Sequence, residues 1–384
     1  MAMRVAPSFE QLEKLSGTRD ADLIARRYID PALNRGRGAQ TNKGSRYDTE
    51  SREAVDDGWG THNVEDLKPF ETIEHVERAR TIITRNESPD IGFDRSINAY
   101  RGCEHGCSYC FARPTHAYLG HSPGLEFERD IYVKTNAVEQ LRRELADKRY
   151  KPRPIAMGTN TDPYQPAERK HKLTRGILQL LLETKHPVTI TTKSALVVRD
   201  LDILKPLAEL NLVRVALSIT SMDHKLSRKM EPRASTPEKR LEAVRLLSEA
   251  GVPTMVMAAP MIPAVNDIEL ERILDAAAAQ GARDASAILV RLPLEVRDIF
   301  REWLLRHFPD RVGHVMGLIR DARGGKDNDP NFHTRFVGEG PYAELLRQRL
   351  DRAKARYGLN KPIPPLRTDL FEHPKVDDGQ MSLF

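Results

Sequence analysis

Cysteine is scarce in this chain of 384 residues, which contains only three. All three lie in one short segment, at positions 103, 107 and 110. An odd count always leaves one thiol outside any set of disulfides, and nothing in the sequence marks the chain as secreted into an oxidising compartment. The sequence therefore argues against a disulfide scaffold and for three thiols that act together.

Long apolar runs are also missing. No run reaches the roughly 18 residues that a membrane span requires, and the first fifteen residues contain no apolar signal core. Hydrophobic residues make up 40% of the chain and charged residues 30%, a balance typical of soluble globular proteins. We therefore predict a cytoplasmic protein without membrane association, in a compartment where thiols stay reduced.

The cysteines follow a Cys-x3-Cys-x2-Cys spacing within the segment SINAYRGCEHGCSYCF, residues 96–111. Three thiolates in one loop can hold three irons of a 4Fe-4S cluster and leave the fourth iron open for a cofactor or substrate. A structural zinc site is the alternative, because His105 lies inside the loop and would complete a Cys3His ligand set. Zinc modules usually divide their ligands into two separated pairs, so the spacing favours the iron-sulfur cluster.

With Tyr109 directly before Cys110, this motif resembles the signature of radical S-adenosylmethionine (SAM) enzymes. The resemblance implies that Cys103, Cys107 and Cys110 bind a 4Fe-4S cluster whose open iron takes the amino and carboxylate groups of SAM. An electron from an external donor then cleaves the sulfonium to give a 5'-deoxyadenosyl radical, and the aromatic side chain lies beside the adenine. The motif is specific for this cofactor chemistry and is uninformative about the substrate.

Short apolar strands alternate with amphipathic helices between residues 92 and 308. The predicted strands are 96–100, 155–158, 188–192, 213–219, 252–259 and 287–290, and the predicted helices are 169–185, 201–210, 237–250, 268–280 and 295–308. Such alternation predicts parallel βα units, and about six units are too few for an eight-fold barrel. We predict an α/β fold, a partial (β/α)6 TIM-type barrel of the radical SAM kind with N- and C-terminal extensions.

The chain divides into four predicted parts. Residues 1–90 form a basic, partly flexible extension, residues 91–310 the radical SAM core barrel, residues 311–360 a helical and irregular C-terminal extension, and residues 361–384 a flexible tail. Within the first part, residues 26–46 carry six basic side chains and a single acidic one, Asp30. Such a stretch is typical of a solvated extension, and the alternative is a basic arm that contacts nucleic acid phosphates.

Polar side chains follow the predicted strands at the edge where α/β barrels gather functional residues. Asn160, Thr161 and Asp162 follow the second strand and are expected to hydrogen-bond the ammonium group of SAM. Lys193 ends the third strand and suits the carboxylate of SAM as a charge-assisted donor. Ser218 lies late in the fourth strand, on a face that would point into the barrel. The structural alternatives are a polar turn, an exposed loop lysine and a core serine bonded to backbone.

Several blocks between residues 98 and 267 resemble the spore photoproduct lyase-like branch of the radical SAM family. The blocks are NAYRGCEHGCSYCFAR, GTNTDPYQPAE, ITTKS, LSITS, EPRASTPEKRLEAVRLLSEAG and PMIPAVND. In that branch a serine, a lysine and a serine at the ends of strands two to four bind the amino acid part of SAM. Thr161, Lys193 and Ser218 are the closest matches, and the resemblance implies repair of DNA by hydrogen abstraction.

One departure from the branch concerns the hydrogen donor. The lyase returns a hydrogen atom from a separate cysteine, and this chain has no fourth cysteine. This difference argues against the identical reaction, and Tyr109, Tyr118 and Tyr164 are candidate radical relays. Glu231 and Arg233 are further candidates for lining the site, and no catalytic residue is assigned.

The chain ends with GQMSLF, residues 379–384. Gln380, Leu383 and Phe384 form a Gln-x-x-Leu-Phe pattern that resembles the peptide with which bacterial replication and repair proteins bind the sliding clamp. Two apolar side chains suit a pocket and the glutamine amide suits hydrogen bonds. The alternative is a tail that packs against its own domain.

Three functions are compatible with these features. The first is a radical SAM enzyme acting on nucleic acid in DNA repair, supported by the motif, the blocks, the tail and the net charge of +5. The second is a radical SAM enzyme acting on a small molecule or a protein. The third is a non-catalytic zinc module that binds nucleic acid. We predict the first.

Overall fold

The computed structural model describes residues 36–42, 44–47 and 71–375. The strands in these residues are β1 (Ile73–Glu77), β2 (Ile83–Arg85), β3 (Arg95–Ile97), β4 (Tyr100–Arg101), β5 (Asp130–Lys134), β6 (Ile155–Met157), β7 (Val188–Thr192), β8 (Val213–Ser218), β9 (Thr254–Met261) and β10 (Asp284–Leu289). The main sheet has the order β10-β9-β8-β7-β6-β3-β2. All neighbours from β3 to β10 are parallel, and β2 is antiparallel to β3. This sheet confirms the predicted α/β fold with parallel βα units.

Helices lie between the parallel strands, and three more follow β10. The longer ones are Ala137–Ala146, Leu173–Glu183, Leu201–Glu209, Pro237–Glu249, Leu270–Ala279, Val296–His307, Val312–Asp321 and Gly340–Tyr357, and the shorter ones are Glu126–Arg129, Glu168–His171 and His224–Met230. The predicted helix 169–185 is divided in two because Lys172 adopts a positive φ of 53°. None of the helices within residues 36–42, 44–47 and 71–375 has the length and apolar character needed to cross a membrane.

Alternate residues of a strand face either the core beneath the helices or the interior of the barrel. In β8, Val213, Val215 and Leu217 are fully buried in the core that the helices cover. Because side chains alternate across a strand, Ala216 and Ser218 lie on the opposite face, toward the interior of the barrel. The sequence prediction that Ser218 points into the barrel is consistent with this pattern.

A small second sheet with the order β1-β5-β4 was not predicted. The predicted strand 96–100 ends earlier, at Ile97, and the chain then enters the separate strand β4. Asn98 lies between the two strands, and its side-chain oxygen accepts hydrogen bonds from the amides of Asn160 (3.0 Å) and Thr161 (3.3 Å). Asn98 therefore links the start of the cysteine segment to the segment that follows β6.

The described part of the N-terminal extension is packed against the barrel. Arg37 is buried and donates to the Glu128 carbonyl at 2.7 Å, and Arg46 forms an ion pair with Glu295 at 3.0 Å. These two members of the basic stretch are therefore engaged within the protein. The rest of residues 26–46 lies outside the described residues, apart from the segments 36–42 and 44–46.

The C-terminal segment follows the edge at which the strands begin. Residues 361–375 belong to the predicted flexible tail, yet they are hydrogen-bonded to the barrel: Asn211 donates to the Pro365 carbonyl at 2.8 Å, and the Glu372 amide donates to the Thr184 carbonyl at 2.9 Å. Asn211 and Thr184 precede β8 and β7, so this segment lies opposite the edge where the cysteine segment lies. Gln380, Leu383 and Phe384 lie outside the described residues.

Candidate functional site

The three cysteines lie in a loop with a fixed backbone. Cys103 and Cys107 are buried, Cys110 is partly exposed, and all three are free thiols. The Cys103 amide donates to the Phe127 carbonyl at 2.9 Å, and the Ser108 amide donates to the Met230 carbonyl at 3.1 Å. The loop is therefore held from two sides by residues that are distant in the sequence.

A buried ion pair between Arg113 and Glu128 supports this loop. Arg113 donates to the Cys107 carbonyl at 2.9 Å and pairs with Glu128 at 2.5 Å. Glu128 also accepts hydrogen bonds from the amides of Gly38 (2.8 Å) and Ala39 (2.7 Å). A β-carbon on Gly38 would lie 1.7 Å from the carbonyl oxygen of Gly106, so only glycine fits there. The N-terminal segment thus lies directly on the cysteine loop.

Burial controls the protonation of the thiols. It raises the pKa of Cys107 to about 12, although the nearby Lys193 ammonium acts in the opposite direction. Burial, together with the charges of Asp162 and Cys107, raises the pKa of Cys103 well above its usual value. Both thiols are therefore protonated in the absence of a metal, and metal binding would have to release these protons.

Asp162 connects the cysteine loop to the end of β7. Its oxygens accept hydrogen bonds from the Thr192 hydroxyl (2.6 Å) and from the amides of Lys193 (2.7 Å) and Tyr164 (2.9 Å), and one oxygen lies 3.3 Å from His105 Nδ1. Burial alone would raise the pKa of Asp162, but His105 and these hydrogen bonds outweigh burial and hold it at about 2. The Asp162 carboxylate is therefore hydrogen-bonded by groups of the protein itself, and it links the cysteine loop to the end of β7.

The contact of His105 with Asp162 bears on the zinc alternative. A zinc ion would require His105 to converge with the three cysteines, and its Nδ1 lies instead against a carboxylate. In the part of the chain that the structure describes, no three His, Cys, Asp or Glu side chains converge as a single metal ion needs. The thiolates of a 4Fe-4S cluster bind different irons and need not converge on one point, so the loop fits a cluster better.

Asn160 and Thr161, the other predicted site residues after β6, differ in exposure. Asn160 is exposed and Thr161 is buried, with its hydroxyl 3.4 Å from the Tyr100 carbonyl. Gly158 has a φ of 90°, and a β-carbon there would lie 2.0 Å from the Thr191 carbonyl oxygen. The glycine therefore permits the segment after β6 to approach β7 closely.

Lys193 and Tyr109 face each other beside the cysteines. The Lys193 ammonium lies 5.9 Å from the centre of the Tyr109 ring. Burial would lower the pKa of Lys193, but the neighbouring Cys107 and Glu231 outweigh burial and raise the pKa above its usual value. The Tyr109 hydroxyl donates to Glu231, which also pairs with Arg240.

Ser218 lies at the same edge of the sheet. Leu217 pairs with Thr192 in the sheet. The residues that follow them, Ser218 and Lys193, therefore lie at the same height. The Ser218 hydroxyl donates to the Ala259 carbonyl at 3.1 Å, and the Ser218 carbonyl accepts a hydrogen bond from Arg240 at 2.9 Å. The structure therefore brings Ser218 to the edge that Lys193 occupies.

Sequence reasoning missed two parts of this arrangement. It did not identify Arg240 or the Arg113–Glu128 pair. For Arg240 a signal existed, because the block EPRASTPEKR follows the fourth strand at the functional edge and is rich in charge. Nothing local pointed to Glu128, whose partners Gly38 and Ala39 are about 90 residues away.

The comparisons with known proteins agree with this geometry. A family model described as the Radical SAM superfamily matches residues 97–277, which include the cysteine loop, Lys193 and Ser218. An uncharacterized protein of Mycobacterium tuberculosis is 37% identical over 278 residues, 71% of this chain and 78% of that protein. The chain belongs to the radical SAM superfamily. It is therefore an enzyme of that superfamily, and the superfamily implies SAM and a 4Fe-4S cluster as cofactors.

Three further matches concern more distant proteins. An uncharacterized protein of Methanocaldococcus jannaschii is 32% identical over 173 residues, 45% of this chain and 62% of that protein. The structure of spore photoproduct lyase complexed with dinucleoside spore photoproduct has a TM-score of 0.53 at 18% identity, covering 74% of this chain and 79% of the lyase. A mutant of that lyase with bound AdoMet and the same dinucleoside matches with the same TM-score. The likeness confirms the predicted fold.

Proposed function

We propose that this radical SAM enzyme holds a 4Fe-4S cluster on Cys103, Cys107 and Cys110, cleaves SAM reductively to a 5'-deoxyadenosyl radical, and acts on nucleic acid. The reaction would be a DNA repair step similar to that of spore photoproduct lyase. The observation that carries the proposal is the position of the three free thiols in one supported loop, beside Lys193 and Tyr109.

The residues around the loop suit the parts of SAM. When bound, the cluster supplies the electron that cleaves the sulfonium of SAM, and an external donor replaces it. Lys193 is positively charged at neutral pH and would pair with the carboxylate. The hydroxyls of Thr161 and Ser218 donate to backbone carbonyls, which leaves their oxygen lone pairs to accept from the ammonium group. The Tyr109 ring would pack beside the adenine.

Support for a nucleic acid substrate comes from three sources. The net charge is +5, the sequence blocks resemble the lyase branch, and spore photoproduct lyase, which shares the fold, has been solved with a dinucleoside spore photoproduct. Among the candidate relays, Tyr118 is 69% exposed and Tyr164 is buried, whereas Tyr109 lies in the cysteine loop itself.

One observation favours the second candidate, a small molecule or protein substrate. Arg37 and Arg46 are engaged with Glu128 and Glu295, so the described part of the basic stretch does not present these cations to a phosphate backbone. Membership of an enzyme superfamily argues against the third candidate, the non-catalytic zinc module.

The nucleic acid proposal is tested by anaerobic turnover. We expect 5'-deoxyadenosine to form faster with ultraviolet-damaged DNA than with undamaged DNA or without DNA, measured by chromatography after chemical reduction. Equal rates in the three reactions, from protein that contains about four irons and four sulfides per chain, would reject nucleic acid and favour the second candidate. Protein that binds zinc and no iron would reject the cluster.

The sliding clamp stays a separate prediction, because its residues lie outside the described part of the chain. A fluorescent peptide of residues 375–384 is expected to bind purified clamp saturably, and a peptide with Leu383 and Phe384 changed to alanine is expected not to bind. Each buried anchor of this kind typically contributes about 2 kcal/mol. Equal binding by the two peptides would contradict the prediction.

A further inference from the structure

Glu231 is a buried carboxylate beside the cysteine loop, and the proposed contacts with SAM make no use of it. Only 2% of Glu231 and 1% of its partner Arg240 are exposed. One carboxylate oxygen accepts a hydrogen bond from the Tyr109 hydroxyl, and the other accepts from the Arg240 guanidinium. The three side chains form a Tyr-Glu-Arg triad that begins at the residue before the last cysteine of the motif.

Arg240 anchors this triad to the functional edge of the barrel. Its other nitrogens donate to the carbonyls of Ser218 (2.9 Å) and Ser235 (2.7 Å). The Ser235 amide in turn donates to the Lys193 carbonyl at 3.3 Å. The Arg240 guanidinium therefore connects Glu231 with the backbone of Ser218. Through Ser235, it also connects Glu231 with the backbone of Lys193.

The segment that carries Glu231 also holds the cysteine loop. The Ser108 amide donates to the carbonyl of Met230, which precedes Glu231, at 3.1 Å. The Arg233 amide donates to the His105 carbonyl at 3.3 Å. Glu231 is thus fixed on both sides by contacts of its own segment with the loop.

The charges of the triad complement those of the site. Burial would raise the pKa of Glu231, but Arg240 and Lys193 outweigh it and hold the pKa below its usual value. Glu231 is therefore ionised at neutral pH, and its hydrogen bonds with Tyr109 and Arg240 are charge-assisted.

We propose that Glu231 is a positioning residue for SAM, which holds the Tyr109 ring beside Lys193 in the orientation that binding requires. The inference rests on the proposed function, because SAM is the ligand that Tyr109 and Lys193 are proposed to contact. A neutral side chain at position 231 would replace the charge-assisted hydrogen bond to the Tyr109 hydroxyl with a weaker one, so the ring would be held less firmly. Arg240 holds Glu231 in place and is not one of the proposed contacts with SAM.

The test is the variant Glu231→Gln, which keeps the shape of the side chain and removes its charge. We expect the affinity of the cluster-loaded protein for SAM, measured anaerobically by calorimetry, to fall about 10- to 100-fold, as is typical when a residue that orients a direct contact is changed. Iron and sulfide per chain should stay at the wild-type level. The change that SAM causes in the electron paramagnetic resonance spectrum of the reduced cluster should need correspondingly more SAM.

The variant Tyr109→Phe separates positioning from stability. It keeps the ring and removes only the hydroxyl, so we expect a smaller loss of affinity. Because the two residues act as one unit, the double variant should bind no more weakly than Glu231→Gln alone. If Glu231→Gln fails to fold or to hold the cluster, Tyr109→Phe decides: an affinity equal to that of the wild type overturns the inference.

A matched control is available in the same chain. Glu168 is fully buried, accepts from the Tyr100 hydroxyl at 2.5 Å and pairs with Arg199 at 2.8 Å. Glu168→Gln is therefore the same chemical change in a second Tyr-Glu-Arg triad. It should lower the melting temperature and leave the affinity for SAM unchanged.

The outcomes distinguish the inference from the proposed function. If Glu231→Gln and Glu168→Gln both lower the melting temperature while both bind SAM as the wild type does, the triad of Glu231 is structural only and the inference fails. If the wild-type protein itself binds neither iron nor SAM, the proposed function fails. Loss of affinity in Glu231→Gln alone supports the inference.

Discussion

Replacing Cys103, Cys107 or Cys110 with alanine is expected to abolish the formation of 5'-deoxyadenosine from SAM. A cluster with one open iron needs all three thiolates, because the loss of any one of them leaves a second iron without a protein ligand. The measurement is anaerobic turnover under chemical reduction, with 5'-deoxyadenosine quantified by chromatography, alongside iron and sulfide per chain. We expect each single variant to lose both the product and much of the iron.

The same loop offers a control for this experiment. Ser108 is fully buried between the second and third cysteines, and its hydroxyl has no hydrogen-bond partner among the described residues. Ser108→Ala therefore removes a buried oxygen without breaking a contact, and it should retain both iron and product formation. A cysteine variant that forms product as fast as Ser108→Ala would remove that cysteine from the cluster.

The sequence predicted the barrel strands because their signals are local. Residues 188–192, the run VTITT, were predicted as a strand from β-branched residues alone, and β7 has these bounds. The helix Pro237–Glu249 was equally predictable, since Thr236 accepts from the Lys239 amide and Pro237 occupies the first helical position. Each signal acts within a few residues, so no knowledge of distant partners was needed.

The small sheet was not predictable in this way. β1 and β5 pair at residues 57 positions apart, from Ile73 with Asp130 to Glu77 with Lys134. β1 is an edge strand, and Val76 within it is 77% exposed. A strand that buries so little apolar surface shows no clear alternation, and its partner is specified only by the folded chain.

In the candidate site, too, features of short segments were predictable and contacts between distant residues were not. The cysteine spacing and the strand-end positions of Asp162 and Lys193 are features of short segments, and they were identified. That protein donors occupy the Asp162 carboxylate could not be read from its position. Likewise, residues 36–42 resemble a solvated basic segment in isolation. Residues 37–41 are buried because Glu128, about 90 residues later, accepts the amides of Gly38 and Ala39.

Lys193→Ala is expected to weaken SAM binding by about 10- to 100-fold while the iron content stays unchanged. A hydrogen bond to a charged group contributes about 1.5 to 3 kcal/mol, and each 1.4 kcal/mol corresponds to about tenfold in affinity. Lys193 is no ligand of iron in the proposed site, so its removal should spare the cluster. The measurement is anaerobic calorimetry of cluster-loaded protein with SAM.

Two further variants make this result interpretable. Lys193→Met keeps most of the aliphatic stem and removes the charge, so it should match Lys193→Ala if the ammonium, rather than packing, binds the carboxylate. Lys170→Ala is the control for the loss of a lysine elsewhere, because Lys170 pairs with Glu74 on the surface, where such pairs contribute little. If Lys193→Ala and Lys170→Ala bind SAM equally well, Lys193 does not contact the cofactor, and the carboxylate must bind elsewhere in the loop region. If Lys193→Met alone retains affinity, the stem carries the contact, and the electrostatic basis of the assignment is wrong.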